Sequence, residues 1–315
     1  IHIILPTRET PNLSLAKLRS RKELTELKNR DLAFNRDDIH NLIYHLYDMT
    51  FDSIVLERLI EVTEGWITAI IFLLEKICPL SRIEGEQVLE NFLLTQSIPE
   101  LDDYFRTQIL AQLSSEWTET LIKTSAVEKF SPHLIENITG KSGFQTIKEL
   151  QKMNLFISLT EPATYNYKFN PIFRAYLYNE FRTLNETEAK ENLGKIAEYF
   201  FEEENIGRSI EYQCKAGDYE TAKQQLLEFG ETLIKNNEYE TINELLSFFP
   251  YDMQDSDPYL SYYNAIVNNL MQPEISRKKL LKLLYIFNSS QDYDREASIY
   301  SVLLTNYFFF QTNAQ

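Results

Sequence analysis

The chain has 315 residues, 43% of them hydrophobic, and a formal net charge of −16 at pH 7. This length allows more than one hydrophobic core, and the charge argues against binding of nucleic acid or an anionic membrane by the chain as a whole. Two cysteines cannot build a disulfide framework. Apolar runs all fall far short of the roughly 20 residues of a membrane span, so we expect a soluble cytoplasmic protein.

Residues 1–34 predict the end of a domain followed by a linker. Residues 1–5 (IHIIL) form a short apolar run before Pro6, a pattern typical of a strand buried on both faces of a parallel sheet. No second run of this kind follows in the next hundred residues. We therefore expect the body of an α/β domain, with any catalytic machinery, to be missing from this chain. Residues 11–30 then predict a linker with a short amphipathic helix.

Residues 35–98 predict a small bundle of four helices. Asn35 is a good N-cap for the first helix, and acidic residues follow it in the first turn. Gly65 separates the second helix from a third, residues 66–77, which is apolar nearly all round and so predicted to be buried. Pro79 stops that helix, and a fourth runs from about residue 83 to 94. Scarce glycine and proline elsewhere fit this helical interpretation.

Residues 99–184 predict a winged-helix domain. Ser131 and Pro132 are typical of the start of a helix that Gly140 ends. A further helix over residues 144–153 precedes two β-like runs, residues 155–159 and 165–169, joined by a turn. A closing helix begins at Pro171. Helix, helix, helix, hairpin and helix is the element order of a winged helix.

Residues 185–315 predict a helical repeat region. Residues 216–222 read AGDYETA, in which small residues flank a Gly-Asp turn and an aromatic residue. This pattern recurs in antiparallel helix pairs of the tetratricopeptide type. The echoes that follow are degenerate, so the number of repeats stays open. No polar capping repeat follows residues 308–311, so we expect the repeat array to be truncated at this end.

Several of these motifs, in this order, resemble the MalT-like, LuxR-associated branch of the bacterial STAND regulators, the signal-transduction ATPases with numerous domains. The matching motifs are TRE at 7–9, LxLAxLRxR at 13–21, LxEL at 24–27, LxF at 32–34, TEGW at 63–66, LIKTSAV at 121–127, YKFNPIFR at 167–174 and AGDYETA at 216–222. The resemblance covers nearly the whole chain. It implies a mainly α fold, with the end of an α/β nucleotide-binding domain (1–34), a helical domain (35–98), a winged helix (99–184) and TPR-like sensor repeats (185–315).

The resemblance implies a nucleotide-gated switch that controls transcription. In that family ADP holds the nucleotide-binding, helical and winged-helix domains closed, and an inducer with ATP opens the protein for self-association. A DNA-binding domain outside this chain would then act. The phosphate loop is missing from this sequence, so we expect ATP or ADP with Mg²⁺ in the parent protein and none bound by this segment alone. We expect no enzyme activity, catalytic residue, metal site or membrane partner in the segment, and an inducer or protein partner on the repeats.

Arg8 and Asn170 are the first two candidate nucleotide-sensing residues that the resemblance implies. Arg8 follows the predicted strand, where ligands of open α/β sheets bind, and its guanidinium would report on the terminal phosphate; a surface arginine is the alternative. Asn170 stands where the family usually has a histidine that reaches the ADP β-phosphate. Asn170 precedes Pro171 and also suits an N-cap. Since an amide cannot become cationic, we hypothesise an ADP-locked state that is weaker here or held by other residues.

Four further residues are candidates of the same kind. Gly65 and Trp66 lie where many STAND proteins have Gly-x-Pro beside the adenine, with Ile67 in place of the proline. The alternative is a tight helix–helix turn at Gly65 and a core position for Trp66. Arg19 and Arg21 lie in the linker motif, where they could face phosphates or a neighbouring protomer, or form a solvated basic helix.

Two other functions remain open from the sequence. A TPR-like adaptor would bind a protein or peptide without ATPase activity, and the predicted strand and Arg8 argue against it. A winged-helix DNA-binding protein is the other. The helix over 144–153 offers only Lys148 and Lys152, with Lys141 before it, which is a thin basic footprint for DNA.

Overall fold

The computed structural model describes residues 3–7, 11, 13–27, 29–269 and 271–311, with the side chains of 29, 30 and 305–311 left aside. The chain folds into two compact units, and the boundary between them lies between Asn185 and Glu186. Among the described residues, no helix is long and apolar enough to cross a membrane.

The described residues of the first unit form α-helices and one hairpin, with irregular segments between them. Its α-helices are α1 (Leu15–Ser20), α2 (Asn29–Leu32), α3 (Arg36–Tyr47), α4 (Ser53–Thr63), α5 (Ile67–Ile77), α6 (Arg82–Thr95), α7 (Pro99–Tyr104), α8 (Ser115–Thr124), α9 (Pro132–Thr139), α10 (Gly143–Lys152) and α11 (Pro171–Phe181). A π-helical turn (Phe105–Ile109) and a 3₁₀ turn (Leu110–Gln112) continue α7. The strands are β1 (Ile157–Glu161) and β2 (Asn166–Phe169).

The predicted strand at residues 1–5 is not formed in the part of this run that the structure describes. Residues 3–5 have no regular secondary structure, and Ile3 and Ile4 are 83% and 92% exposed. A parallel strand is stabilised by neighbouring strands and by helices on both faces, and the described residues place neither beside this run. Residues 1 and 2 lie outside the described part of the chain. The short linker helix is present as α1, with no buried residue.

The predicted four-helix bundle is α3 to α6. Asn35 caps α3 as expected: its side chain accepts from the N–H groups of Asp37 and Asp38, and Asp38 returns the bond to the Asn35 N–H. Helix α5 is the central member, and Ile70, Leu73 and Leu74 are fully buried on it. The apolar run over residues 67–77 thus forms the core of the bundle.

The winged helix follows the predicted order, with α8, α9 and α10 before the hairpin and α11 after it. Ser131 caps α9, and Gly140 ends it in the left-handed conformation. The strands pair antiparallel, Ile157 opposite Phe169, with a bulge between Leu159 and Glu161. Strand β1 starts later than the expected residue 155, because Phe156 takes a left-handed conformation (φ 53°) that breaks the strand.

Pro99 and Arg174 each have a defined structural role in this domain. Pro99 occupies the first position of α7. The Arg174 Nε donates to the Val127 carbonyl at 2.9 Å. This bond joins the motif at residues 121–127 to the motif at residues 167–174.

The second unit is an array of helices. They are α12 (Glu186–Glu202), α13 (Ile206–Ala216), α14 (Tyr219–Lys235), α15 (Tyr239–Ser247), α16 (Tyr251–Ser256), α17 (Pro258–Val267), α18 (Pro273–Ser289) and α19 (Tyr293–Gln311). Gly217 (φ 81°) ends α13 and Asp218 caps α14, so the Gly-Asp pair forms the predicted turn. Gly230 leaves room for the Tyr263 ring, which a Cβ there would meet at 2.6 Å.

Candidate functional site

A cleft of about 840 Å³ lies in the first unit, where the bundle meets the winged helix. The bundle contributes the turn between α4 and α5, and the winged helix contributes the π-helical turn, the segment before β1 and the start of α11. The lining residues are Leu32, Ala33, Thr63, Glu64, Gly65, Trp66, Ile67, Tyr104, Gln108, Ile109, Gln112, Leu113, Gln151, Met153, Asn154, Leu155, Phe156, Ile157, Ser158 and Asn170. Three of the six predicted sensing residues, Gly65, Trp66 and Asn170, therefore share one cleft.

Gly65 allows the linker to lie directly on the turn between α4 and α5. Its φ is 72°, and a Cβ at this position would lie 2.4 Å from the Phe34 carbonyl oxygen. The Phe34 N–H donates to the Gly65 carbonyl at 3.0 Å. A glycine is needed here both for the left-handed backbone and for the close approach of residues 33–34. The predicted tight turn is thus present, with the linker held against it.

Trp66 belongs to an aromatic cluster that joins the bundle to the winged helix. Its ring lies 4.9 Å from Phe156, 5.5 Å from Phe105 and 5.7 Å from Tyr104. Phe105 also contacts Phe173 at 5.0 Å between ring centroids. Aromatic pairs at these distances add stability beyond the area they bury. Trp66 is half-buried, so its ring both packs in this cluster and faces the cleft.

The side chain of Asn170 makes hydrogen bonds at both ends. Its Oδ1 accepts from the N–H groups of Ile172 (3.1 Å) and Phe173 (3.5 Å), which caps α11 as predicted. Its Nδ2 donates to the Thr63 carbonyl at 3.2 Å and to Glu64 Oε2 at 3.3 Å. The residue is 6% exposed. The amide therefore links the winged helix to the C-terminus of α4.

Glu64 is the one charged residue among the described residues that line the cleft. Its backbone is left-handed (φ 50°) at the C-cap of α4. Its carboxylate pairs with Lys168 Nζ at 2.5 Å in addition to the bond from Asn170. Both partners come from the winged helix, so Glu64 carries a second polar link between the same two elements.

The polar groups on the winged-helix side of the cleft are mostly uncharged. Gln108 lies in the π-helical turn, and Gln112 in the 3₁₀ turn after it. Such π-helical segments are frequent at functional sites. Phe156 holds its left-handed backbone here, and its carbonyl accepts from the Asn170 N–H at 2.8 Å. Aromatic faces and neutral amides suit a planar, uncharged ring with polar edges, such as a nucleobase.

The other three predicted sensing residues lie elsewhere. Arg8 falls outside the described residues. Arg19 pairs with Glu26 through two bonds, of 2.6 and 3.1 Å, and both side chains are substantially exposed. Carboxylate pairing raises the pKa of Arg19, chiefly through its hydrogen bond to Glu26. Arg21 is exposed at the C-cap of α1. Neither Arg19 nor Arg21 lines the cleft.

The basic residues of the helix considered for DNA contact are largely neutralised by ion pairs. Lys141 pairs with Glu116, and Lys152 pairs with Glu149 at 2.6 Å. Among the described residues Lys148 has no ion-pair partner. An isolated lysine is a weak footprint for phosphate contacts, which agrees with a packing role for this winged helix.

Sequence reasoning missed Glu64, Tyr104 and Phe156 as parts of the site. Glu64 is visible within the TEGW motif, but its partners are more than 100 residues away in the sequence. Phe156 stands in an apolar run that predicts a strand, and no local signal predicts a left-handed phenylalanine.

Comparison with known proteins gives three findings. Residues 106–191 match the MalT winged helix domain. The chain is 26% identical over 266 residues to the HTH-type transcriptional regulator MalT of Yersinia pestis (strain Pestoides F), which is 84% of this chain and 29% of that protein. The same figures hold for MalT of Yersinia enterocolitica serotype O:8 / biotype 1B. The chain thus spans 29% of the length of these relatives.

One solved structure resembles the fold. A Signal Transduction ATPase with Numerous Domains (STAND) protein with a tetratricopeptide repeat sensor from Pyrococcus horikoshii matches 89% of this chain and 39% of its own. The TM-score is 0.50 at 18% sequence identity. This likeness concerns the fold alone. The chain is MalT-like in sequence, mainly α-helical, and carries a winged helix of the MalT type.

Proposed function

We propose that this MalT-like chain is the regulatory segment of a nucleotide-gated STAND transcriptional activator. The bundle and the winged helix respond to the ADP or ATP state, and the helical repeats sense an inducer or a protein partner. The segment itself is not an enzyme. A nucleotide-binding domain and a DNA-binding domain of the parent protein would supply the phosphate loop with Mg²⁺ and the DNA contacts.

The observation that carries this proposal is the meeting of Gly65, Trp66 and Asn170 at one cleft. Gly65 and Trp66 belong to one sequence motif, and Asn170 belongs to another that lies more than 100 positions further along the chain. The family resemblance implies nucleotide sensing for both motifs. A volume of about 840 Å³ suits a ligand of nucleotide size. The Trp66 ring and the glutamine amides offer stacking and hydrogen bonds to a base.

The cleft is poorly suited to hold phosphates by itself. Its described lining carries the Glu64 carboxylate and no lysine or arginine, and anions are bound best by cations and free backbone N–H groups. Cations from the nucleotide-binding domain, with Arg8 as the candidate in this chain, would complete the site. We therefore expect residues 1–315 alone to bind ATP or ADP more weakly than about 1 mM.

The repeat unit is proposed to carry the sensing function. Its helices bury a continuous core that includes Leu226, Leu260 and Phe287, and the Pyrococcus horikoshii protein of similar fold has a tetratricopeptide repeat sensor. Binding of inducer with ATP would open the parent protein and allow self-association. The alternative function is that of an adaptor that binds a protein or peptide but no nucleotide. Measurement of ADP affinity distinguishes the nucleotide-gated regulator from this adaptor.

Isothermal calorimetry with ADP tests the proposal. The full-length protein is expected to bind ADP tightly, while residues 1–315 alone do not. Trp66→Ala should weaken binding to the full-length protein by roughly tenfold or more, since stacking on an aromatic ring contributes ~1–3 kcal/mol. Trp117→Ala, on α8 and outside the lining of the cleft, is the matched control. Equal ADP affinity in wild type and Trp66→Ala would refute the assignment of the cleft, and no binding at all would favour the adaptor.

A further inference from the structure

One face of α18 combines lysines with exposed apolar side chains. Four residues at the i, i+3, i+4 and i+7 spacing lie on the same side of this helix: Lys278, Leu281, Lys282 and Tyr285. Leu281 is 50% exposed and Tyr285 is 81% exposed, and both lysines are exposed. Neither lysine has an ion-pair partner among the described residues. Two cations and two apolar side chains therefore face the solvent together, which is typical of a surface that binds a partner.

The end of α12 presents the same spacing with the opposite charge. Glu198, Phe201 and Glu202 repeat the i, i+3, i+4 pattern of the first three residues of the α18 face. Phe201 is 44% exposed, and both glutamates are exposed and without an ion pair in the part of the chain that the structure describes. Glu202 is the last residue of α12, where the helix dipole disfavours negative charge. A cation supplied from outside would therefore be bound favourably at this end.

The two faces are complementary in charge and in spacing. Residues four positions apart lie about 6 Å apart along a helix axis, so the two lysines of α18 can meet the two glutamates of α12 at the same time. Leu281 and Phe201 each lie between the charged residues of their own helix, so they can pack against each other. An apolar contact within a rim of opposite charges is the usual construction of a protein interface.

Other occupants fit the α18 face less well. A second α18 face would place lysine against lysine, and like charges repel. The net charge of −16 repels nucleic acid and anionic membranes at long range. Both faces are exposed within one chain, so α12 and α18 do not cover each other there. The complement to each face is available on another copy.

We propose that the α18 face of one copy binds the end of α12 of a second copy. This contact needs no nucleotide and no residue of the cleft, so it goes beyond the proposed nucleotide switch. Two short helix faces bury a small area, and the association is therefore weak and reversible. Its dependence on charge pairs makes it sensitive to salt.

Sedimentation equilibrium of residues 1–315 at about 0.1 mM protein tests the contact. The mass should rise above the 37.1 kDa of one chain at about 50 mM salt and return to it at about 500 mM salt, where screening is stronger. Lys278→Glu combined with Lys282→Glu places acid against acid and should weaken association by roughly a hundredfold or more. Glu198→Lys combined with Glu202→Lys should do the same.

An equimolar mixture of the two double variants isolates this contact from other effects of charge. Each variant alone presents like charges on the two faces, but in the mixture the reversed α18 face of one variant meets the reversed α12 end of the other. Association should therefore return. Lys17→Glu combined with Lys148→Glu is the matched control, because both are exposed lysines of the first unit without an ion pair among the described residues. This control should associate as wild type does.

The outcomes either support or overturn the inference, once thermal melting has shown that each variant is folded. Salt-sensitive association that each double variant removes and their mixture restores supports it. A wild-type chain that stays monomeric in low salt, association that the double variants leave unchanged, or a mixture that stays monomeric overturns it. Binding of wild type to a DNA duplex or to anionic vesicles that Lys278→Glu with Lys282→Glu removes, without self-association, overturns the second copy as the occupant.

Discussion

Substitution of Gly65 by alanine tests whether the linker is held on the turn between α4 and α5. The left-handed backbone (φ 72°) alone should cost about 1–2 kcal/mol for a residue with a Cβ. The added Cβ would lie 2.4 Å from the Phe34 carbonyl oxygen, so the linker must move. The hydrogen bond between the Phe34 N–H and the Gly65 carbonyl is then lost, which adds about 1 kcal/mol. Overpacking adds about 1–3 kcal/mol, which brings the total for Gly65→Ala to roughly 3–6 kcal/mol.

Gly140→Ala is the control that isolates the close approach. Gly140 has nearly the same backbone (φ 71°), but no atom lies within 4 Å of the place its added Cβ would take. The Gly140→Ala variant should therefore lose only the about 1–2 kcal/mol of unfolding free energy that a left-handed backbone costs a residue with a Cβ. Urea unfolding followed by tryptophan emission is the assay, since Trp66 and Trp117 are the only tryptophans and both lie in the first unit. Equal losses of unfolding free energy in the two variants would refute the docking of the linker.

Three further predictions use the same chain. Asn170→Ala should lower the unfolding free energy of the first unit by about 2–3 kcal/mol, through loss of the cap and of the bond to Thr63; a loss below about 1 kcal/mol would contradict the role of this amide. Burial is the largest influence on Asp102 and raises its pKa, although the hydrogen bond from Ser97 acts in the opposite direction. The folded state therefore favours the protonated acid, and the contribution of Asp102 to the free energy of unfolding falls as pH rises through its folded pKa. Asp102→Asn should therefore raise the urea midpoint above that of wild type near neutral pH, but not at a pH below the ordinary aspartate pKa of about 4. The same difference in midpoint between variant and wild type at both pH values would contradict this. Burial raises the pKa of Cys214 to about 12, whereas Cys78 is exposed, so a thiol reagent should label one cysteine per folded chain and none after Cys78→Ser.

Local signals in the sequence predict the helices and their caps well. Asn35, Ser131 and Asn170 each precede a helical pattern, and each accepts hydrogen bonds from the first turn of its helix. These interactions span two or three residues, so a short window of sequence contains both partners. The apolar run of α5 is likewise sufficient to predict the centre of the bundle.

Features that depend on distant partners could not be predicted in this way. The bond between Asn170 and Glu64 joins residues 106 positions apart, and the cap role of Asn170 gives no sign of a second partner. The run at residues 1–5 predicts a buried strand from its apolar character alone, but residues 3–5 are exposed and unpaired in the described structure. A strand requires neighbours that a local pattern does not supply. Phe156 departs from the predicted strand and its ring packs 4.9 Å from that of Trp66, a distant contact that local strand propensity does not include.

The proposed function depends on contact between the nucleotide and the cleft beside Trp66. Photo-crosslinking of the full-length protein with an azidoadenine analogue of ADP, followed by peptide mapping, measures this contact. We expect labelled peptides from residues 63–67, 104–113 or 151–158, with labelling suppressed by excess ADP. Labelling confined to other parts of the protein, or labelling of these segments that excess ADP leaves unchanged, would contradict the proposal.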